Sequence, residues 1–324
     1  MPRQLVRYIA RRLLHLMPVW LGVSILAFSL ANLAPGDPAE LILLRQTGQA
    51  PGAEAVARLR EQLGLNGHVV ARYARWLANA AKGDLGTSYS TGRPVLELLA
   101  SRFPSTLQLA LSALLLALVV AIPLGAFAAV RRDSGTDHLA RMIALFGASI
   151  PSFVMAYLLI LLFAVTLRVL PVAGSDGWRY LVLPVLTLAI GEAAAIARLT
   201  RANMLEVLSE DYVRTATAKG ASRRAVFVTH ALRNALNPVV TLAGIRFGRL
   251  LGGAAIVETV FARPGIGKTV VDAIYDRDYP VIQGFILFAG TVFLVANLFV
   301  DISYPWLDPR VRLAGDVKRY RAPA

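Results

Sequence analysis

The chain has 324 residues, 56% hydrophobic and only 17% charged, with a mean hydropathy of +0.57, a balance that excludes a disordered chain and an ordinary soluble domain and points to a membrane protein. Its 34 Lys and Arg against 20 Asp and Glu leave a net charge of +14, which calls for either nucleic acid or a membrane with charge-sorted loops, and the placement of the charges decides between them. No cysteine is present, which excludes disulfides, thiolate metal sites and cysteine nucleophiles.

Arg3, Arg7, Arg11 and Arg12 precede the first uncharged run, Leu13 to Gly36. That run is too long for the apolar core of a signal peptide and lacks a small-x-small cleavage site, so it reads as a retained span. Residues 34 to 103 then form the one sizeable segment between runs, opening with Pro35-Gly36-Asp37-Pro38. Amphipathic helices are expected in it near Ala53 to Leu65 and Val69 to Ala81. As a small cap it is either a docking surface for an external partner or a lid packed on the spans. Two more uncharged runs follow, Phe103 to Val130 and Met142 to Leu167. At ~1.5 Å per residue the second is about 39 Å long against a hydrocarbon core of ~30 Å, so it has to tilt or protrude. Tyr180 to Ala197 is interrupted by Glu192, and Asn234 to Phe261 by Arg246, Arg249 and Glu258, before a last clean run from Tyr279 to Val300. Six transmembrane helices are predicted, with kinks at Pro18, Pro123, Pro151, Pro184 and Pro238.

An even number of spans puts both termini on one side. Residues 1 to 12, 131 to 141, 198 to 233 and 307 to 324 then share that side with 19 Lys and Arg, against 2 in residues 168 to 179 and 3 in residues 262 to 280. Positive charge gathers in cytoplasmic loops, and segment 34 to 103 is too long to follow the rule, so both termini are expected in the cytoplasm. The basic excess is thereby accounted for without nucleic acid. The resulting division is an N-terminus with the first span (1 to 33), an extracytoplasmic segment (34 to 103), a core of five spans (104 to 306) containing a cytoplasmic loop at 205 to 237, and a cytoplasmic tail (307 to 324).

Catalytic patterns are missing. Gly265-Ile266-Gly267-Lys268-Thr269 looks like the end of a phosphate-binding loop, but Ala262 stands where that motif needs its first glycine. The segment also falls on the outer side, away from ATP, so it reads as a turn. His15, His68, His138 and His230 are scattered without metal-ligand spacing. No serine stands with a plausible base, and the chain is read as a non-enzyme. The intramembrane charges remain. Each costs at least ~2.5 kcal/mol near the bilayer centre and persists only where it faces protein or water. Glu192, Arg246, Arg249 and Glu258 therefore face inward, either lining a polar path that attracts solute carboxylates or pairing at helix contacts. Gly244, Gly248, Gly252 and Gly253 give the fifth run a small-residue face, more often helix packing than conduit.

The stretch from Arg198 to Asn237 is long, polar on one face and helix-competent, yet too short for a domain. Ala216, Ala218 and Gly220 allow another surface to approach the backbone closely, and Gly220 can end a helix in a left-handed turn. It is either a docking helix or a basic amphipathic loop resting on lipid headgroups.

Asp211-Tyr-Val-Arg-Thr-Ala-Thr-Ala-Lys-Gly220, followed by His230-Ala-Leu-Arg-Asn234, resembles the EAA loop of bacterial ABC-importer permeases, in the form carried by the dipeptide, oligopeptide, glutathione and nickel permeases. Pro35-Gly-Asp-Pro38, Gly83-Asp-Leu-Gly86, Leu251-Gly-Gly253, Glu258-Thr-Val-Phe261, Pro264-Gly-Ile-Gly267, Asp278-Tyr-Pro280 and Leu307-Asp-Pro-Arg310 look like family landmarks in the expected order, so the resemblance spans nearly the whole chain. Two departures stand out. Arg263 occupies a position where members commonly carry Trp, and Pro238 lies further from Gly220 than in sugar-type loops, which favours the peptide and nickel branch.

The resemblance implies an all-α type I ABC importer permease of the bacterial inner membrane, with a substrate-binding protein outside, a second related permease, and two ATPase subunits that hold the ATP and Mg while this chain binds no cofactor. It implies that Asp211, Arg214, Thr215, Ala216, Ala218, Lys219, Gly220, Ala221 and Ser222 couple to the ATPase. The short connection Pro171 to Trp178 resembles glutathione and nickel permeases more than dipeptide ones. A short peptide is the favoured solute and a nickel chelate the alternative. A self-sufficient secondary transporter is the competing class, but the inverted repeats usual there are absent and acidic relay groups are few.

Overall fold

The computed structural model describes residues 2–33, 36–222 and 225–307. Pro35 of the first landmark, the Arg223-Arg224 pair, residues 308–310 of the last landmark and the tail to Ala324 lie outside the described residues. The described chain is helical, its sole strand-like feature a lone antiparallel bridge between Thr87 and Pro94.

The first run lies in α1, Pro2–Leu33, which carries Pro18 internally. Three short helices follow, α2 Pro38–Thr47, α3 Ala53–Gln62 and α4 Val69–Ala81. The sequence reading included the last two and missed α2, whose start is written locally. Asp37 accepts the backbone N–H of Ala39 as N-cap, and Pro38 fills a first-turn position where no hydrogen bond is lost. An aromatic trio ties α4 to α1, with Phe28 edge-on to Tyr73 at 5.4 Å and 5.8 Å from Trp76.

The frame of the molecule is α5, Val95–Val130, laid against α8, Arg179–Ser209. Small residues make the approach close. Ala110, Ala117 and Ala121 of α5 share one buried cluster with Ala189, Ile196 and Ala197 of α8. A Cβ on Gly125 would sit 2.4 Å from the Ala197 carbonyl oxygen, the packing that membrane helices use when lipid supplies no hydrophobic drive. The opposite face of α5 carries exposed Leu115, Val119 and Phe127.

The third run departs from one tilted helix. It is α6, Gly135–Ser149, then α7, Ser152–Leu159, continued as a π-helical turn over Ile160–Thr166, and the two halves meet at 104°. Pro151 has no N–H and disfavours helical geometry for its predecessor, and here Ile150 is extended with ψ 123°. The fifth run is also divided, into α10, Asn237–Gly253, and α11, Ala255–Val260. Pro238 sits in the first turn of α10, where proline needs no kink. After a tight turn come α12, Ile266–Tyr275, and α13, Tyr279–Leu307.

Three described helices, Val95–Val130, Arg179–Ser209 and Tyr279–Leu298, are long and apolar enough to cross a membrane, and the bent pair makes a fourth if it is one span. The apolar part of α1, Met17–Leu30, is shorter.

Candidate functional site

The loop after α8 begins with α9, Asp211–Ala218. Glu210 is extended at ψ 145°, which ends α8 and lets the chain restart in a new direction. Only Val213 of α9 is buried. Asp211, Arg214, Thr215, Ala218, Lys219, Gly220 and Ser222 are exposed, with Ala216 and Ala221 half-buried. Arg214 Nη1 lies 3.5 Å from Asp211 Oδ1, a solvent-facing pair of little energetic weight. Thr215 donates back to the Asp211 carbonyl at 2.9 Å. The helix ends as its sequence requires: Gly220 has φ +83°, and a Cβ there would meet nothing within 4 Å. The nine residues expected to couple thus form one short, largely solvent-facing surface.

That surface is anchored from behind. Asn234 Nδ2 donates to the Tyr212 hydroxyl at 2.8 Å. Val226–Leu232 forms a π-helical segment that runs on through Arg233–Ala235. Ala231 and Ala235 of this segment pack with Met204 of α8 and Ala126 and Ala129 of α5 in a buried cluster.

The four membrane charges separate into two places. Glu192, Arg246 and Arg249 are brought together on a cavity of about 420 Å³, which Arg198 also lines. Arg246 Nη1 stands 3.2 Å from Glu192 Oε2. Leu188, Gly191, Ala195 and Arg198 place one stripe of α8 on this cavity, and Gly147, Ile150, Ser152 and Met155 bring the α6–α7 break to it.

Glu258 lies elsewhere, fully buried. Its Oε1 accepts the Thr106 hydroxyl at 2.5 Å and its Oε2 the backbone N–H of Lys268 at 3.0 Å, while Ile266 N–H donates to Thr106 Oγ1 at 2.9 Å. The carboxylate therefore sits at the N-terminus of α12, where free N–H groups favour negative charge. Gly265 makes room for it, since a Cβ there would fall 2.1 Å from the carboxyl. The Gly-Ile-Gly-Lys-Thr stretch is a helix start whose anion is an internal side chain. Arg263 is buried beside it and donates from Nη2 to Gln108 Oε1 at 2.6 Å. Burial pulls its guanidinium below the usual range, with the Glu258 charge opposing.

Two further carboxylates hold the ends of the bundle, Asp137, which sequence reasoning does not single out, and Asp278, which it gives only as part of a landmark. Asp137, buried at the start of α6, takes a two-pronged bond from Arg201 of α8, Nε at 2.7 Å and Nη2 at 2.6 Å. Arg201 holds its carboxyl down to about 2, against the cost of burial. Asp278, before α13, accepts Ser88 Oγ at 2.6 Å and the backbone N–H groups of Tyr89 and Ser90 at 3.1 Å each. Burial, then the Asp278 charge, push the Tyr89 hydroxyl up to about 12. The sequence does not name the partner of either, since the partners lie 64 and 190 residues away.

Residues 121–313 match the family described as binding-protein-dependent transport system inner membrane component, and residues 5–110 match its N-terminal membrane component. The glutathione transport system permease protein GsiC of Escherichia coli O6:H1 is 44% identical over 308 residues, 95% of this chain and 99% of the relative. GsiC of Salmonella paratyphi A is 42% identical over the same length, with 95% and 99% covered. Among solved structures, the MetNI methionine ABC transporter in inward-facing conformations aligns with TM-score 0.57 at 20% identity, covering 66% of this chain and 97% of the other. An amino acid ABC transporter with histidines aligns at 0.50 and 16%, covering 65% and 94%. These two speak to the fold alone. With two family models accounting for most of its length, the chain belongs to the binding-protein-dependent transport system inner membrane components, as a multi-pass helical membrane protein.

Proposed function

We propose that this chain is the membrane-spanning subunit of an ATP-driven importer that carries short, glutathione-like peptides into the cytoplasm by alternating access. It has six spans, both termini and the α9 loop in the cytoplasm, and segment 34 to 103 outside. It works with a second permease, two ATPase subunits and an external binding protein, and catalyses no reaction itself. The peptide solute is favoured over a nickel chelate because the relatives at 42 to 44% identity are named for glutathione transport.

The observation that carries this reading is α9 itself, a short helix exposed on nearly every side yet anchored by Val213, closed by a left-handed Gly220, and hung on a long helix. From Glu192 to Ser209, α8 is unbroken, about 26 Å at ~1.5 Å per residue. A push on α9 is therefore delivered by a stiff lever to the wall of the charged cavity. The Asp137–Arg201 clamp makes α6 follow α8. ATP drives such a cycle only by favouring one of two packings through differential contacts.

The absence of native cysteine makes Lys219→Cys a single reporter. A membrane-impermeant maleimide should label it in inside-out vesicles alone, and bound ATPase subunits should protect it. Labelling from the outer side, or labelling indifferent to the ATPase in a transporting complex, overturns the reading.

A further inference from the structure

The cavity between α6, α7, α8 and α10 is unbalanced in charge. Three guanidinium groups, from Arg198, Arg246 and Arg249, share it with a single carboxylate, Glu192. Arg246 is within ion-pair distance of Glu192, 3.2 Å, but the approach is off-line, and the Oε2 atom accepts no hydrogen bond. Among the described residues neither Arg198 nor Arg249 has an ion pair. Arg198 opens the cytoplasmic segment, which leaves half-buried Arg246 and exposed Arg249 at membrane depth, where uncompensated guanidinium is costly and the one carboxylate offsets one of the two. The α6–α7 break adds to the imbalance. Ser152 lines the same space in the first turn of α7, where backbone N–H groups lack intrahelical partners and favour an anion.

From this imbalance we infer that the cavity is a carboxylate station. A solute carboxylate bridges Arg249 and Arg246, displacing Glu192, which serves as the resident counter-ion while the cavity holds no solute. The inference rests on the importer reading and adds to it the chemistry recognised within the membrane. The off-line pairing is what such an exchange requires, because a resident ion that satisfied Arg246 fully would exclude the solute. A free metal cation is repelled by the same groups. Glutathione, with two carboxylates, is the natural probe, and its diamide is the matched neutralised control.

The test uses the complete transporter, with ATPase subunits and binding protein, in proteoliposomes, each probe supplied at a concentration that saturates the binding protein. The expected wild-type result is glutathione uptake about tenfold faster than diamide uptake, the scale of one charge-assisted hydrogen bond. Arg249→Gln should bring the ratio near one, Arg249→Lys should keep part of it, and in a separate glutathione titration Glu192→Gln should lower the half-saturating concentration. An acid-to-amide ratio unchanged in Arg249→Gln overturns the station, as does a Glu192→Gln variant that needs more glutathione. If Arg249→Gln does not assemble, the Arg249→Lys ratio and the direction of the Glu192→Gln shift decide by the same criteria. ATP hydrolysis stimulated by loaded binding protein is read in parallel. Retained stimulation with an unchanged ratio removes the station alone, whereas wild-type protein with neither stimulation nor uptake removes the importer reading beneath it.

Discussion

Replacing Glu258 by Gln tests whether this buried carboxylate holds the fold or touches solute. Its two oxygens take different donors, the Thr106 hydroxyl at 2.5 Å and the Lys268 N–H at 3.0 Å. An amide keeps one acceptor and turns the other into a donor. If the new NH₂ faces Lys268, two N–H groups confront each other; if it faces Thr106, the hydroxyl already accepts from Ile266 at 2.9 Å and loses its own acceptor. A hydrogen bond to a charged group contributes about 1.5–3 kcal/mol, and an anion at a partly buried helix N-terminus up to ~2 kcal/mol. These terms overlap, so a loss of about 2–4 kcal/mol is expected for Glu258→Gln. Thermal denaturation of the detergent-solubilised complex should show a midpoint lower by several degrees. Thr106→Val should cost a similar amount, and the double variant less than the two together, because both act on one network. Solute uptake per assembled complex should be unchanged. An unaltered midpoint with a raised half-saturating solute concentration would refute this and place Glu258 on the path, the other role its sequence position allows.

Gly220 should separate backbone conformation from surface shape. At φ +83° with open space around it, Ala costs about 1–2 kcal/mol of local strain, while Asn tolerates the left-handed region better. If the α9 surface docks against an ATPase, Asn, Ala and Val should all weaken ATPase pull-down, Val most; full binding by the Asn variant would show that conformation alone matters. Gly125→Val should fail to assemble or lose several kcal/mol, since even a Cβ falls 2.4 Å from the Ala197 oxygen in a tightly packed interface; normal expression and stability would contradict the α5–α8 packing. Asp137, lowered from 3.8 to about 2 by Arg201, contributes stability that is full above pH ~4 and lost as pH falls towards 2. Asp137→Asn should flatten that acid limb of the denaturation midpoint, and an unchanged limb would count against the clamp.

What could be read from the residues alone was set by how local each cause is. Long uncharged runs announce helices because a bilayer demands internally bonded backbone, and α1, α5 and α13 are where such runs lie. Gly220 was legible for the same reason: a helix that must stop, followed by the one residue free at positive φ, is a local fact. The 104° break at Pro151 was not. Pro18, Pro123 and Pro184 remain inside continuous helices, so a proline marks where a helix can yield, and the neighbours decide whether it does. At Gly147 a Cβ would lie 3.2 Å from Ile190, a close approach to α8 that holds the end of α6 while α7 leaves in another direction.

The charges show the same limit from the other side. The cost of placing Glu192, Arg246, Arg249 and Glu258 in a membrane is known from their types, and that cost alone says that each faces inward. It says nothing of which partner each finds. Glu258 meets a hydroxyl and the start of a helix, contacts supplied from residues 106 and 268. Glu192 pairs with Arg246 on a different helix, and Arg249 lines the same cavity because positions 246 and 249 fall on one face of α10. The difference between a carboxylate held by a hydroxyl and a helix start and one outnumbered by guanidinium groups exists only once the chain has brought α5, α8, α10 and α12 together.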